Sequence, residues 1–366
     1  MRTILQTLDA EGLLGFRNLE GEAIGAVTER FYATHGSAYE RFGQRGREAC
    51  RQDLGYHLEF LRPVLEFGLL QPMVEYLRWL GSVLAARAIP AAHVGQSLDW
   101  LAEFYAAHMG APHGHIVAAA LREANAEFLG LRDSSPASPP SAEAWPESAA
   151  FQAALLSGNQ REALAIMNRC LESGRDFVRF ELHVIQPALY RIGEGWQANK
   201  VTVAQEHMAT AIVQSVMTVG LLHLPPPPQN GKRAILACVE GNHHVVGLRM
   251  VADAFLLSGW DVQFLGANVP AASLVQHLAE WKPDLVGLSV SFAQQLPQVK
   301  TVIRGMQDRL GSRRPALMIG GLAINRFAPL AGVVGADGHS ENALAAVSNA
   351  DRVISGSQLT QQSSSL

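Results

Sequence analysis

Asn242-His243-His244-Val245-Val246-Gly247 places two imidazoles directly after the apolar run Ala234-Ile235-Leu236-Ala237-Cys238-Val239. A neutral imidazole is a good metal ligand, and a glycine beside it lets a bulky group approach the backbone. The run reads as a buried strand and the residues after Val246 as a helix, so the histidines sit in a strand–helix loop. In doubly wound folds such loops open at the carboxyl end of the sheet, where ligands bind. A surface loop that merely carries two histidines would show the same six residues. What surrounds the loop must decide.

Four apolar runs (234–239, 262–265, 285–290 and 316–319) alternate with helical stretches near 246–258, 271–281, 295–310 and 340–349. Strands apolar on both faces imply a parallel sheet covered by helices, here a flavodoxin- or Rossmann-like α/β domain over 232–350. Upstream, four segments near 148–156, 160–173, 176–191 and 202–222 are separated by short Gly-containing turns, which fits a four-helix bundle over 147–223. The Pro-rich stretch 224–231 separates the two. Residues 1–132 read as an all-helical domain, with a globin-like packing as one arrangement, on recurrences such as Tyr76, Leu77, Leu80, Val83 and Leu84. A Ser/Pro linker (133–146) follows it, and a Ser/Gln-rich tail (351–366) reads as disordered.

Composition narrows the function. The 366 residues are 48% hydrophobic and 17% charged, with a net charge of −4. Residues 1–132 hold 12 Arg, no Lys and 15 acidic residues, so neither the chain nor that part carries a basic footprint. The expectation is therefore no direct nucleic-acid contact and no membrane association. Cys50, Cys170 and Cys238 are odd in number and far apart, which argues for a reducing, cytoplasmic setting. No apolar run reaches the roughly 18 residues of a membrane helix.

The loop resembles the Asp-x-His-x-x-Gly signature of cobalamin-binding domains, with Asn242 in place of Asp and His244 at the ligand position. Ser289-Val290-Ser291 is similar to that family's Ser-x-Leu element, and Gly320-Gly321 to its Gly-Gly element. Leu265-Gly266 and the stretch ending at Gly338 also look like family elements. The resemblance implies that His244 is the lower cobalt ligand and that the nucleotide tail runs into a slot beside the sheet. Gly241, Asn242, His243 and Gly247 join the cofactor-facing set.

Trp196, followed after nine residues by Glu206-His207, resembles adenosylcobalamin-dependent photoreceptors of the CarH type. That resemblance implies a helical bundle capping the corrin, with Trp196 against the adenosyl group and Glu206 and His207 around it. It implies a light sensor and not an enzyme, signalling through a light-dependent homo-oligomer or an unidentified protein partner. The residue after the tryptophan is Gln197 where DNA-binding members carry histidine, so that position supplies no imidazole to the vacated upper site.

In 1–132, Tyr56, His57, Arg62, Tyr76, Arg78, Trp79, Trp100 and Tyr105 form an aromatic set with one imidazole and two guanidinium groups. Such a set suits a tetrapyrrole with propionates, although on the residues alone a packed aromatic core with surface arginines is the favoured reading. The whole architecture resembles photocobilins, which implies biliverdin as a second chromophore. Two other readings stand beside the photoreceptor: a corrinoid protein of a methyltransferase system, and a haem-based redox or gas sensor.

Overall fold

A computed structural model describes residues 5–130, 142–174 and 176–363. The chain divides into two compact units, Met1–Ala137 and Ser138–Leu366. Most of the expected linker lies outside the described residues.

The first unit is helical: α1 (Ala10–Tyr39), α2 (Gly43–Phe67), α3 (Gln71–Ala85), α4 (Ala91–His108) and α5 (His113–Gly130). Asp9 caps α1 by accepting the Gly12 N–H at 2.8 Å, and α3 opens with Pro72 in its first turn. Its core is built from fully buried Phe16, Leu54, Leu58, Leu61, Met73, Leu77, Leu98 and Tyr105. The five α-helices among this unit's described residues, against the eight of a globin, limit the globin comparison to a shared helical character.

The aromatic set proposed for a tetrapyrrole does not form one slot. His57 donates or accepts a 2.9 Å hydrogen bond with the Tyr76 hydroxyl, and Phe60 stacks on Tyr76 at 3.8 Å. Trp79 tilts against Tyr76, while Tyr56 is half exposed. Trp100 packs instead with Phe31 and His35, under the Arg30 guanidinium. Tyr105 stacks on Phe16. Helix geometry explains the separation: positions 100 and 105 are about 140° apart around α4, so they cannot face one ligand. His57 is 3% exposed and bonded to Tyr76, which also removes it as an open haem ligand.

The buried imidazole has a consequence for stability. Burial holds the His57 pKa at about 4, below the ordinary 6.5. The unfolded chain therefore takes up a proton near pH 6.5 that the folded one refuses until about pH 4. Stability present above pH 6.5 is lost as pH falls through that window, by about 3 kcal/mol in all. Asp53 opposes this. Burial raises its carboxyl to about 6, so the folded chain gains stability as pH falls below 6; partial exposure weakens that gain. Denaturant unfolding at pH 7 and pH 5 should show that His57→Phe loses less stability on acidification, or gains more, than the natural chain; an unchanged difference between the two pH values would remove His57 as a contributor.

The second unit begins with helical segments: α6 (Glu147–Leu156), α7 (Gln160–Glu172), α8 (Phe177–Phe180), a π turn (Glu181–Ile185), α9 (Gln186–Gln197) and α10 (Val203–Leu222). Phe151, Ile166, Phe180, Val184, Ile192 and Val213 share one core, which continues onto Met250 and Ala254 of the following domain. Thr202 and Gln205 form a reciprocal capping box that sets where α10 begins.

Then come β1 (Arg233–Val239), α11 (Val246–Leu257), β2 (Asp261–Val269), α12 (Ala271–Trp281), β3 (Leu285–Ser289), α13 (Leu296–Leu310), β4 (Ala316–Gly320), α14 (Leu322–Arg326), α15 (Pro329–Val334), β5 (Gly338–His339) and α16 (Ala343–Ser363). The sheet is parallel in the order β2-β1-β3-β4-β5, the flavodoxin-like order. Strands β1, β3 and β4 are buried on both faces, and β2 is a partly exposed edge. The order reverses between β1 and β3. The loops after those two strands, which carry the histidines and Ser291, therefore flank the crevice that such sheets use for ligands.

One expectation is corrected outright. Helix α16 continues through to Ser363, across most of the tail that reads as disordered. Val353 and Ser357 are buried, so the helix keeps a packed face within a stretch rich in Ser and Gln.

Candidate functional site

A cavity of about 940 Å³ lies between α9 and α10 on one side and the carboxyl end of the sheet on the other. Trp196, Glu206, His207, His243, His244, Gly247, Ser289, Ser291, Gly320 and Gly321 all line it. Gly241, Asn242, Leu265, Gly266, Val290 and Gly338 do not.

The residues that miss the wall mostly shape it. Asn242 is fully buried; its Oδ1 accepts the His244 N–H at 3.0 Å and its Nδ2 donates to the Ser289 carbonyl at 2.9 Å. The Asn242 side chain thus orients the His244 backbone. It also ties the β1 loop to the end of β3. Leu265 falls at a register shift: Leu236 pairs with Phe264 and Ala237 with Gly266, leaving Leu265 as the extra residue of a bulge. The Val290 N–H donates to the Gly320 carbonyl at 2.9 Å. Gly321, at φ +99°, sits where a Cβ would meet the Val290 carbonyl at 2.5 Å, so this loop crossing requires glycine.

His244 is accessible within the cavity and meets Phe292 edge-on at 5.1 Å. Surrounding protein lowers the ring's pKa; Glu206 pulls it back up and His243 pushes it further down. The imidazole is therefore neutral near pH 7, with a lone pair to give. On the helical side, Glu206 receives the Thr210 hydroxyl at 3.1 Å and pairs with the exposed His207 ring at 2.6 Å. Among the described residues no three His, Cys, Asp or Glu side chains gather as a metal cage. A metal bound at His244 must bring most of its ligands with it.

Sequence reading missed Gln295, a buried residue at the start of α13. Its Oε1 accepts the Ser291 N–H at 2.9 Å and its Nε2 donates to the Gly241 carbonyl at 3.0 Å, bracing both loops. Nothing in the type or spacing of a helix-start glutamine marks that role. Tyr190, Gln186, Gln214 and Asn325 also line the cavity unannounced.

The cavity does not stop at the loops. Period-two alternation turns Leu285, Gly287 and Ser289 of β3 to one face, and all three line it, with Leu236 of β1 and Met318 of β4. These last two are the register partners of Gly287. Phe255 of α11 and Ala346 of α16 line the same deep part. A Cβ on Gly287 would collide with Leu236 Cδ2, so glycine at 287 lets the Leu236 side chain pack directly over β3.

Residues 232–348 match the family model of the B12 binding domain, and residues 148–219 match a second model of the same description. The HTH-type transcriptional repressor CarH of Myxococcus xanthus is 30% identical over 184 residues, 50% of this chain and 60% of that protein. The HTH-type transcriptional repressor CarA of the same organism is 35% identical over 124 residues, 34% of this chain and 42% of that protein. Dimethylamine corrinoid protein 2 of Methanosarcina acetivorans is 24% identical over 168 residues, 45% of this chain and 77% of that protein. The chain thus spans 60% or less of the two repressors' lengths. Their similarity overturns the expectation that excluded nucleic acid. That expectation summed charge over long stretches, and such a sum reports a long-range field rather than what any one surface contacts. Among the described residues no helix is long and apolar enough to cross a membrane.

Proposed function

We propose that this protein is a light sensor that binds adenosylcobalamin between its helical segments and its sheet, with His244 as the lower cobalt ligand. One observation carries the reading: a single cavity runs from Trp196, Glu206 and His207, past His244, to Leu285 deep beside the sheet. A macrocycle with an upper group and a long lower tail needs that sequence of surfaces. The donor set fits as well, since a lone imidazole suffices for a metal that arrives inside a corrin ring. When bound, the cofactor supplies a cobalt–carbon bond that light can break.

The protein's own part is positional. His244 presents a neutral ring nitrogen, held by the Asn242 and Gln295 bonds to its loop. Trp196 offers a flat apolar surface to an adenine, and Glu206 an acceptor for ribose hydroxyls. Helices α9 and α10 contribute one wall of the cavity, so loss of the upper group removes contacts from one side of a packed interface. That is the kind of bistable element that carries a signal to a homo-oligomer or a partner.

A second reading, a corrinoid protein serving a methyltransferase, is favoured by the 77% coverage of the dimethylamine corrinoid protein. Absorption spectra separate the two. The purified chain loaded with adenosylcobalamin in the dark should change spectrum and oligomeric state under green light. An unchanged spectrum would defeat the sensor; methyl transfer independent of light would establish the second reading.

A further inference from the structure

The cavity changes chemical character with depth. Its mouth at the sheet's carboxyl end is edged by Ser289, Ser340 and Asn342. Four residues further down β3, a distance of about 13 Å, the wall is Leu285, Gly287, Leu236, Met318, Phe255 and Ala346. None of these side chains carries a nitrogen or oxygen. The peptide groups of β1, β3 and β4 are engaged with one another in a continuous parallel ladder. Whatever part of a ligand reaches this depth leaves water and meets no hydrogen-bonding partner.

Resting on the cobalamin reading above, we propose that the deep slot selects among cobamides by their lower base. It favours a dimethylbenzimidazole or a phenolic ring over a purine. A cofactor whose cobalt is held by His244 has its own base displaced, and the slot is where that base lodges. Dimethylbenzimidazole brings two methyl groups and one free ring nitrogen. Adenine brings an exocyclic amine and several ring nitrogens, which would be buried unpaired beside Leu285, Met318 and Phe255. Each unpaired group weakens binding by roughly fivefold or more. The apolar walls exert this selection by withholding partners, the stronger route to discrimination between ligands of similar size.

The test is a dark titration of the full chain with three adenosyl cobamides that differ only in the lower base: dimethylbenzimidazole, p-cresol and adenine. Affinity is read from the change in absorbance. The adenine form should bind at least about tenfold more weakly than the other two. Equal affinity for all three would overturn the inference while leaving the cobalamin reading intact; binding of none would overturn both. Met318→Gln places an amide in the slot and should narrow the adenine penalty severalfold. A penalty that Met318→Gln leaves unchanged would show that the base lies elsewhere.

Discussion

His244→Ala is expected to leave cobalamin without an imidazole on cobalt, giving the spectrum of a form with no nitrogen base below the metal. Removing an outer partner of a metal ligand costs about 10–100-fold in affinity, so removing the ligand should cost about a hundredfold or more. The prediction is local. His243→Ala, one residue away and also on the cavity wall, should keep the natural spectrum, because the Asn242 side chain holds the backbone of position 244. Asn242→Ala should fall between the two. It leaves the ring in place but frees the His244 N–H and cuts the tie to the Ser289 carbonyl. Free imidazole added to His244→Ala should restore the coordinated spectrum in part, since deletion of the ring leaves room for it. A natural spectrum in His244→Ala would remove this residue from the cobalt.

Why this site could be read from sequence at all is a matter of period and chain locality. Strands β1, β3 and β4 are buried on both faces, so each wrote an unbroken apolar run; the loops that follow them carry His244, Ser291 and Gly321 within a few residues of the strand end. Strand β5 is two residues long and left no run to see. Gln295 acts through hydrogen bonds to backbone groups in two loops, and backbone partners leave no trace in residue type. The N-terminal aromatics show the opposite failure. Their types suggested a common pocket, yet Trp100 and Tyr105 point to different sides of α4 and Tyr56 faces solvent. Residue type counts aromatics; only helical phase says which of them meet. Helix α16 outran its expected end because Val353 and Ser357 find a packed surface, a tertiary effect that a polar composition conceals.

Ala346→Phe is expected to abolish tight cofactor binding without unfolding the protein. Ala346 lies on α16, is 2% exposed and lines the deep slot with Gly287, Leu285 and Phe255. In a filled core, a phenyl ring in place of a methyl would overpack and cost about 1–3 kcal/mol. Here it enters a cavity, where burial of its apolar surface offsets the strain. The unloaded variant should therefore melt close to the natural chain, while affinity for adenosylcobalamin falls by about a hundredfold or more as the tail loses its place. Leu344→Phe, on the same helix but 39% exposed, should leave both properties alone. The decisive readout is spectroscopic. If lodging the tail beside the sheet is what frees the lower face of cobalt for His244, Ala346→Phe must also lose the imidazole-coordinated spectrum, although its imidazole is untouched. Its effect should then add little to that of His244→Ala, as for two residues acting on one event. Retention of natural affinity and spectrum in Ala346→Phe would mean that the tail does not run along β3, and the assignment of the slot would fall with it.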